Sequence, residues 1–207
     1  MRPPPGCVRC GGPLRPPGLM SSAWHCAHHG DVAPLHVVAP VGERTVDAVA
    51  AQARVPLWML LPPPVGWTLG GVARAGDDRG TVATAAAWSG PSPVGGPADL
   101  VVVAEEPGVG LGARLAGLPH VDAGDCVVGA PVERVEARGR PVALWACTGT
   151  PDDRIALVGE ADAAWLWLVV WPAAAEALFA ERLVLTDARE RAVPYQPGAA
   201  SPRLLAS

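Results

Sequence analysis

The residue types most able to do chemistry sit close together near the start of the chain. Cys7-Val8-Arg9-Cys10-Gly11-Gly12 is followed by Cys26-Ala27-His28-His29-Gly30, a C-x2-C-x15-C-x2-H pattern. Two ligands separated by two residues can share one tight turn and point at a common ion. A glycine just beyond each pair lets the chain leave with positive φ. Two such knuckles supply four borderline-to-soft ligands in a tetrahedron, which suits Zn²⁺. The expected ligands are Cys7, Cys10, Cys26 and His29. His28 and His25 are neighbours with less suitable spacing. Four protein ligands leave no open coordination position, so the expected Zn²⁺ is structural rather than catalytic. A segment this short buries little core of its own, and metal binding would supply most of its folding energy.

Two further groupings invite a chemical reading. Glu105-Glu106-Pro107-Gly108-Val109-Gly110-Leu111-Gly112 reads as a glycine-rich turn opening a helix, where backbone N–H groups could receive an anion. Gly108, Gly110, Gly112 and Arg114 are its candidate ligand-binding residues. The spacing departs from a dinucleotide fingerprint, and the two glutamates oppose a phosphate. His120, Asp122, Asp125 and Cys126 cluster in a later loop and suggest an activated thiol, although closeness in sequence does not bring catalytic partners together. Cys126 and Cys147 also read as small buried hydrophobes. No catalytic residue is assigned.

The elements that must hold these groups are a ribbon at 1–40, a helix and proline-rich connector at 41–64, an α+β domain at 65–190 and a flexible tail at 191–207. In the connector, Glu43 to Arg54 reads as an amphipathic helix, with Val46, Val49, Ala50 and Ala53 on one stripe. Trp58 and its leucines are expected to bury the following segment. The large domain is organised around Trp165 to Trp171, where Trp165, Trp167, Val169 and Trp171 alternate with Leu166, Leu168 and Val170. Both faces are apolar, as in a strand covered on both sides. Pro172 then opens an alanine-rich helix from Ala173 to Arg182, and Leu183-Val184-Leu185 returns as a strand.

Two halves follow one order: strand, Asp-Asp-Arg turn, strand, strand, proline, helix. The turns are Asp77-Asp78-Arg79 and Asp152-Asp153-Arg154; Pro107 to Leu118 and Pro172 to Leu183 each span 11 positions. The expected fold is a mainly antiparallel sheet with helices on one face, compatible with a duplicated β-β-β-α unit.

Composition narrows the function classes. All 16 basic residues of the 207 are arginine, so lysine-dependent chemistry, including a P-loop or Schiff base, is excluded. The net charge of −4 argues against broad binding to nucleic acid, although residues 1–40 carry about +2 from Arg2, Arg9 and Arg15 against Asp31, and Trp24 could stack on a base. The expected place for Trp24 is packing over the knuckle. Five cysteines at metal spacing, no apolar leader and no run long enough to span a bilayer point to the reducing cytoplasm.

CVRCGG, WHCAHHG, PVGWTLGGVARAGDDR, VVVAEEPGVGLGARLAG and WLWLVVWP together resemble a family of uncharacterised actinobacterial proteins, up to about Arg189. The resemblance implies a zinc ribbon joined to a domain of unknown function. Some members carry the name phosphotransacetylase, which the residues do not support: the chain is short for that enzyme, and its glycine loop is accompanied by acid. The expected function is a non-enzymatic module that docks a partner protein or binds a small apolar ligand. An enzyme acting on an acyl or phosphorylated metabolite near Gly108–Gly112, and a ribbon-mediated nucleic-acid regulator, are the alternatives.

Overall fold

The computed structural model describes residues 4–19, 21–42 and 44–205. Five short strands come first: β1 (Gly6–Cys7), β2 (Leu14–Arg15), β3 (His25–Cys26), β4 (Gly30–Asp31) and β5 (Pro34–Val38). Helix α1 (Thr45–Ala50) and strand β6 (Trp58–Leu60) follow. Three long strands are next, β7 (Thr68–Asp77), β8 (Gly80–Pro91) and β9 (Pro97–Glu105), then helix α2 (Leu111–Ala116) and a 3₁₀ turn at Ala123–Cys126. Strands β10 (Glu133–Ala137), β11 (Arg140–Ala146), β12 (Ile155–Ala161) and β13 (Ala164–Trp171) lead to a 3₁₀ helix at Ala173–Ala180, strand β14 (Val184–Asp187) and helix α3 (Pro202–Leu205). The expected start of the first helix, Glu43, lies outside the described residues, as do Arg2 and positions 206–207.

The chain is mixed α and β, mostly sheet. Eleven strands form one sheet in the order β1-β5-β7-β8-β9-β13-β12-β11-β10-β14-β6, and β2-β3-β4 form a second, small one. Strand β13 lies near the middle, antiparallel to both β9 and β12. Its two apolar faces are both covered, as its composition requires. Leu166, Leu168 and Val170 join Trp88, Leu100 and Val102 in one core, roofed by β6, α1 and the 3₁₀ helix through Met59, Val49 and Phe179. Trp167, Val169 and Trp171 join Val101 and Val103 in the other, against α2, α3 and Val8 and Leu35 of the amino-terminal segment. The β7–β8 part of this second face is alanine (Ala73, Ala75, Ala83, Ala85, Ala87), which lets the covering elements approach closely.

Several expectations need correction. Helices occupy both faces of the sheet, not one. The order β7-β8-β9-β13-β12-β11 does mirror itself at strand level. A two-fold axis through the antiparallel β9–β13 pair, normal to the sheet, would keep both following helices on one side, yet α2 and the Ala173–Ala180 segment pack on opposite sides. That segment is 3₁₀ rather than α; Ala175 and Leu178, three apart, face the core together as that winding dictates. The strand expected after that segment forms as β14, and it runs parallel to β10 and antiparallel to β6 at the far edge. The connection between β8 and β9 is only residues 92–96, because the two strands stay paired as far as Pro91 and Pro97.

The tail is seated on the sheet. Gln196 and Gly198 bond through the backbone to Leu69, Ser201 to Gly70, and Leu204 is buried. Arg203 donates to Asp99 at 2.8 Å and lies over the Trp171 ring at 5.0 Å. Segment 1–40 is likewise no separate body, since β5 pairs with both β1 and β7. Among the described residues, no helix is long and apolar enough to cross a membrane.

Candidate metal centre and the loop it meets

Each knuckle is built by its own backbone. Gly11 N–H bonds Cys7 O at 2.7 Å and Cys7 N–H bonds Gly12 O at 2.8 Å, closing the first turn. Gly11 and Gly30 leave their turns with φ of 76° and 69°, the left-handed conformation anticipated for a glycine there. The β2–β3–β4 sheet holds the second knuckle at the β3–β4 turn. Together they bring Cys7, Cys10, Cys26 and His29 into one cluster whose ligand atoms all lie within 4.8 Å of one another. The Cys10 and Cys26 sulfurs are 3.8 Å apart, and His29 Nδ1 stands 3.7 Å from Cys7 Sγ and 3.6 Å from Cys26 Sγ. This cluster could hold a metal ion. The two neighbouring histidines stay out: His28 is exposed, and His25 pairs with Asp31 at 3.1 Å.

The electrostatics prepare thiolates unevenly. Burial pushes the Cys7 thiol up to about 11, while the backbone N–H of His28 leads in pulling Cys26 down to about 6. A coordinated cation removes the penalty at Cys7, because it deprotonates a ligating thiol outright.

The first knuckle sits directly on the glycine loop. Arg9 donates to the carbonyl of Gly108, and Arg114 Nη1 on α2 donates to the carbonyl of Cys7 at 3.3 Å. Burial lowers the Arg114 pKa, and the nearby Cys10 and Cys7 push back. Gly108 and Gly110 are thus neighbours of the first cysteine knuckle, with φ of 82° and 89°. Gly112 has a packing duty: a Cβ there would lie 2.2 Å from the Trp167 indole. The acceptor for the N–H groups of this loop is supplied from within. Glu105 Oε2 accepts the N–H groups of Leu111 at 2.6 Å and Gly112 at 3.3 Å. Sequence reading set Glu105 aside as a repulsive neighbour; its burial, 3% exposed, is what reveals the role.

That burial pushes the Glu105 carboxyl from the usual 4.5 up to about 7, against the opposing pull of the Leu111 and Gly112 N–H groups. The folded state therefore keeps a proton that the unfolded chain gives up. This group's contribution is complete below about 4.5 and is lost as pH rises through about 7. The expected loss is about 3 kcal/mol by the usual conversion of a pKa shift. Urea unfolding of wild type and Glu105→Gln across that window should show the wild type losing stability relative to the variant as pH rises; parallel pH profiles would refute it.

The thiol reading of the later loop is overturned. Asp122 and Asp125 form a reciprocal cap on the 3₁₀ turn, with Gly124 N–H donating to Asp122 Oδ1 at 2.9 Å. Cys126 is buried beside Cys147, and burial raises both thiols. Such thiols are protonated and inert at neutral pH. Trp24 lines a cleft with the β7–β8 turn, where Arg79 donates to Ser22 at 3.1 Å. Trp167 and Trp171 are core residues, and half-buried Trp165 borders a cavity.

Fold and site define a protein in which a Cys₃His cluster is built into the edge of a large mixed sheet. The chain matches the family of unknown function DUF6758 over residues 1–204 and belongs to that family. No curated protein and no solved structure matches it.

Proposed function

We propose that the chain is a non-catalytic zinc-ribbon protein whose sheet domain serves as a protein-docking or ligand-binding module in the reducing cytoplasm. The observation that carries this reading is the spacing of the ligand atoms. A tetrahedral ion with metal–sulfur bonds near 2.3 Å and metal–nitrogen bonds near 2.0–2.1 Å has edges of about 3.8 Å between sulfurs and about 3.6 Å between sulfur and nitrogen. Three of the six separations are 3.8, 3.7 and 3.6 Å, and all lie within 4.8 Å. Three thiolates and an imidazole suit Zn²⁺ and complete its shell, so the ion would hold structure and bind no substrate.

The centre would carry one net negative charge: three thiolates against a divalent ion. Arg114 supplies the balancing cation from α2 and fixes the Cys7 carbonyl. Such outer partners tune affinity, so Arg114→Ala should weaken zinc retention by about 10–100-fold in a chelator competition while leaving stoichiometry at saturation unchanged. Metal analysis of the purified chain tests the reading itself: stoichiometric zinc supports it, and a metal-free folded chain sinks it. The net charge of −4 weighs against the regulator alternative.

A further inference from the structure

The first knuckle, the glycine loop and the loop after α2 do not close completely against one another. They leave a cavity of about 240 Å³ bordered by Arg9, Gly108, Glu105, His120, Asp122 and Trp165. Its lining is mostly polar and has two electrical ends. One is the Arg9 guanidinium, which uses part of its donor fork on Gly108 and has further N–H groups to offer. The other comprises Asp122, exposed at the rim, and Glu105, at the floor. Glu105 and Trp165 are direct cross-strand partners of the β9–β13 pair, so the carboxylate and the indole share one wall. Glu105 Oε2 already accepts from Leu111 and Gly112, so a guest would share this buried carboxyl with the start of α2.

We infer that this cavity is a binding site for a small amino-carboxylate zwitterion, held by its ammonium group against Glu105, Asp122 and the Trp165 ring and by its carboxylate against Arg9. An ammonium there meets a buried acceptor and an aromatic face, and both gain strength where water is excluded. A carboxylate meets a planar guanidinium. A simple anion would meet only Arg9 and be opposed by two acids; a simple cation would be opposed by Arg9. A guest with both charges answers each wall. The volume excludes nucleotides and acyl-carrier cofactors, so the guest is of free amino-acid size.

This inference rests on the ligand-binding form of the reading above, and zinc content separates the two. The full chain, with one zinc per chain verified, is titrated at about pH 8, where Glu105 is ionised, with L-alanine, methylamine and acetate. Binding is followed by calorimetry and by the Trp165 indole N–H resonance. L-alanine is expected to saturate and to bind at least about tenfold more tightly than either single-charge probe, the factor for one charged hydrogen bond lost. Glu105→Gln, which keeps an acceptor for Leu111, should weaken L-alanine about tenfold. Should that variant lose zinc or fold, Asp122→Asn at the exposed rim decides, with an expected loss of about threefold or more. No saturable L-alanine binding by the zinc-loaded chain overturns the inference and leaves the ribbon intact. Equal binding of methylamine or acetate, or unchanged affinity in both variants, overturns it as well.

Discussion

Replacing Cys10 by Ser is expected to release the metal and unfold far more than the knuckle that contains it. Binding of a structural zinc is worth on the order of 10 kcal/mol in isolated ribbons, all of it coupled to folding. Here the consequence reaches the sheet. Val8 between two ligands is 1% exposed and belongs to the second core, as does Leu35 on β5, which pairs with β1 on one side and β7 on the other. Without the ion, three buried or half-buried thiols face one another with no shared counter-charge, and the β1–β5 edge loses its anchor. Hydrogen exchange should show residues 6–38 losing protection while β9 and β13, tied to each other along seven residue pairs, keep theirs. The same pattern should follow chelation of the wild type. Retained zinc in the variant, or unchanged protection of β5, would remove the basis for calling the ion structural.

The second large effect is expected at the opposite edge. Asp187 at the end of β14 is fully buried. Its Oδ1 accepts the N–H of Leu57 at 3.2 Å and of Arg189 at 3.0 Å, and its Oδ2 meets the Arg189 guanidinium at 2.7–2.8 Å. Arg189 continues to Asp162 at 2.8 Å, in the β12–β13 turn, and to the carbonyl of Arg54 at 2.6 Å, before β6. One ion pair thus ties together the connector, the last strand and a central hairpin. Asp187→Ala leaves the buried Leu57 N–H without its acceptor and takes from Arg189 one of its two carboxylates, a loss of about 3 kcal/mol. For a chain of this size that is a fall in Tm of about 10 °C. Asp187→Asn, which can still receive Leu57, should fall by clearly less. Equal losses in the two variants would show that packing, not charge and hydrogen bonding, holds this edge.

The knuckles and the central strand were legible residue by residue. Cys7, Cys10, Cys26 and His29 are recognisable because their ligand spacing is set within single turns, where three or four residues and a glycine determine the geometry. Trp165 to Trp171 is recognisable because apolar side chains on both faces permit only a covered strand. The total absence of lysine closes off a whole set of mechanisms whatever the fold. Gly112 is a packing glycine whose partner Trp167 lies 55 positions away, and nothing local names it.

What the tertiary structure alone decided is everything that depends on which distant segments meet. Glu105 and Glu106 look equivalent in the chain, yet one caps α2 from inside the core and the other pairs with Arg54 at the surface. The glycine loop reads as an open anion site until Glu105 is seen filling it. The last residues read as a free tail until Arg203 is seen on Asp99 and Trp171. Helices that composition could place on one face are divided between two, because each face of an eleven-stranded sheet must be covered and only long-range pairing determines which segment reaches which side. Short-range geometry is encoded in neighbours along the chain. Burial and long-range pairing are collective properties of the whole chain, and they turn an acid into a cap and leave a cavity between loops that are far apart in sequence.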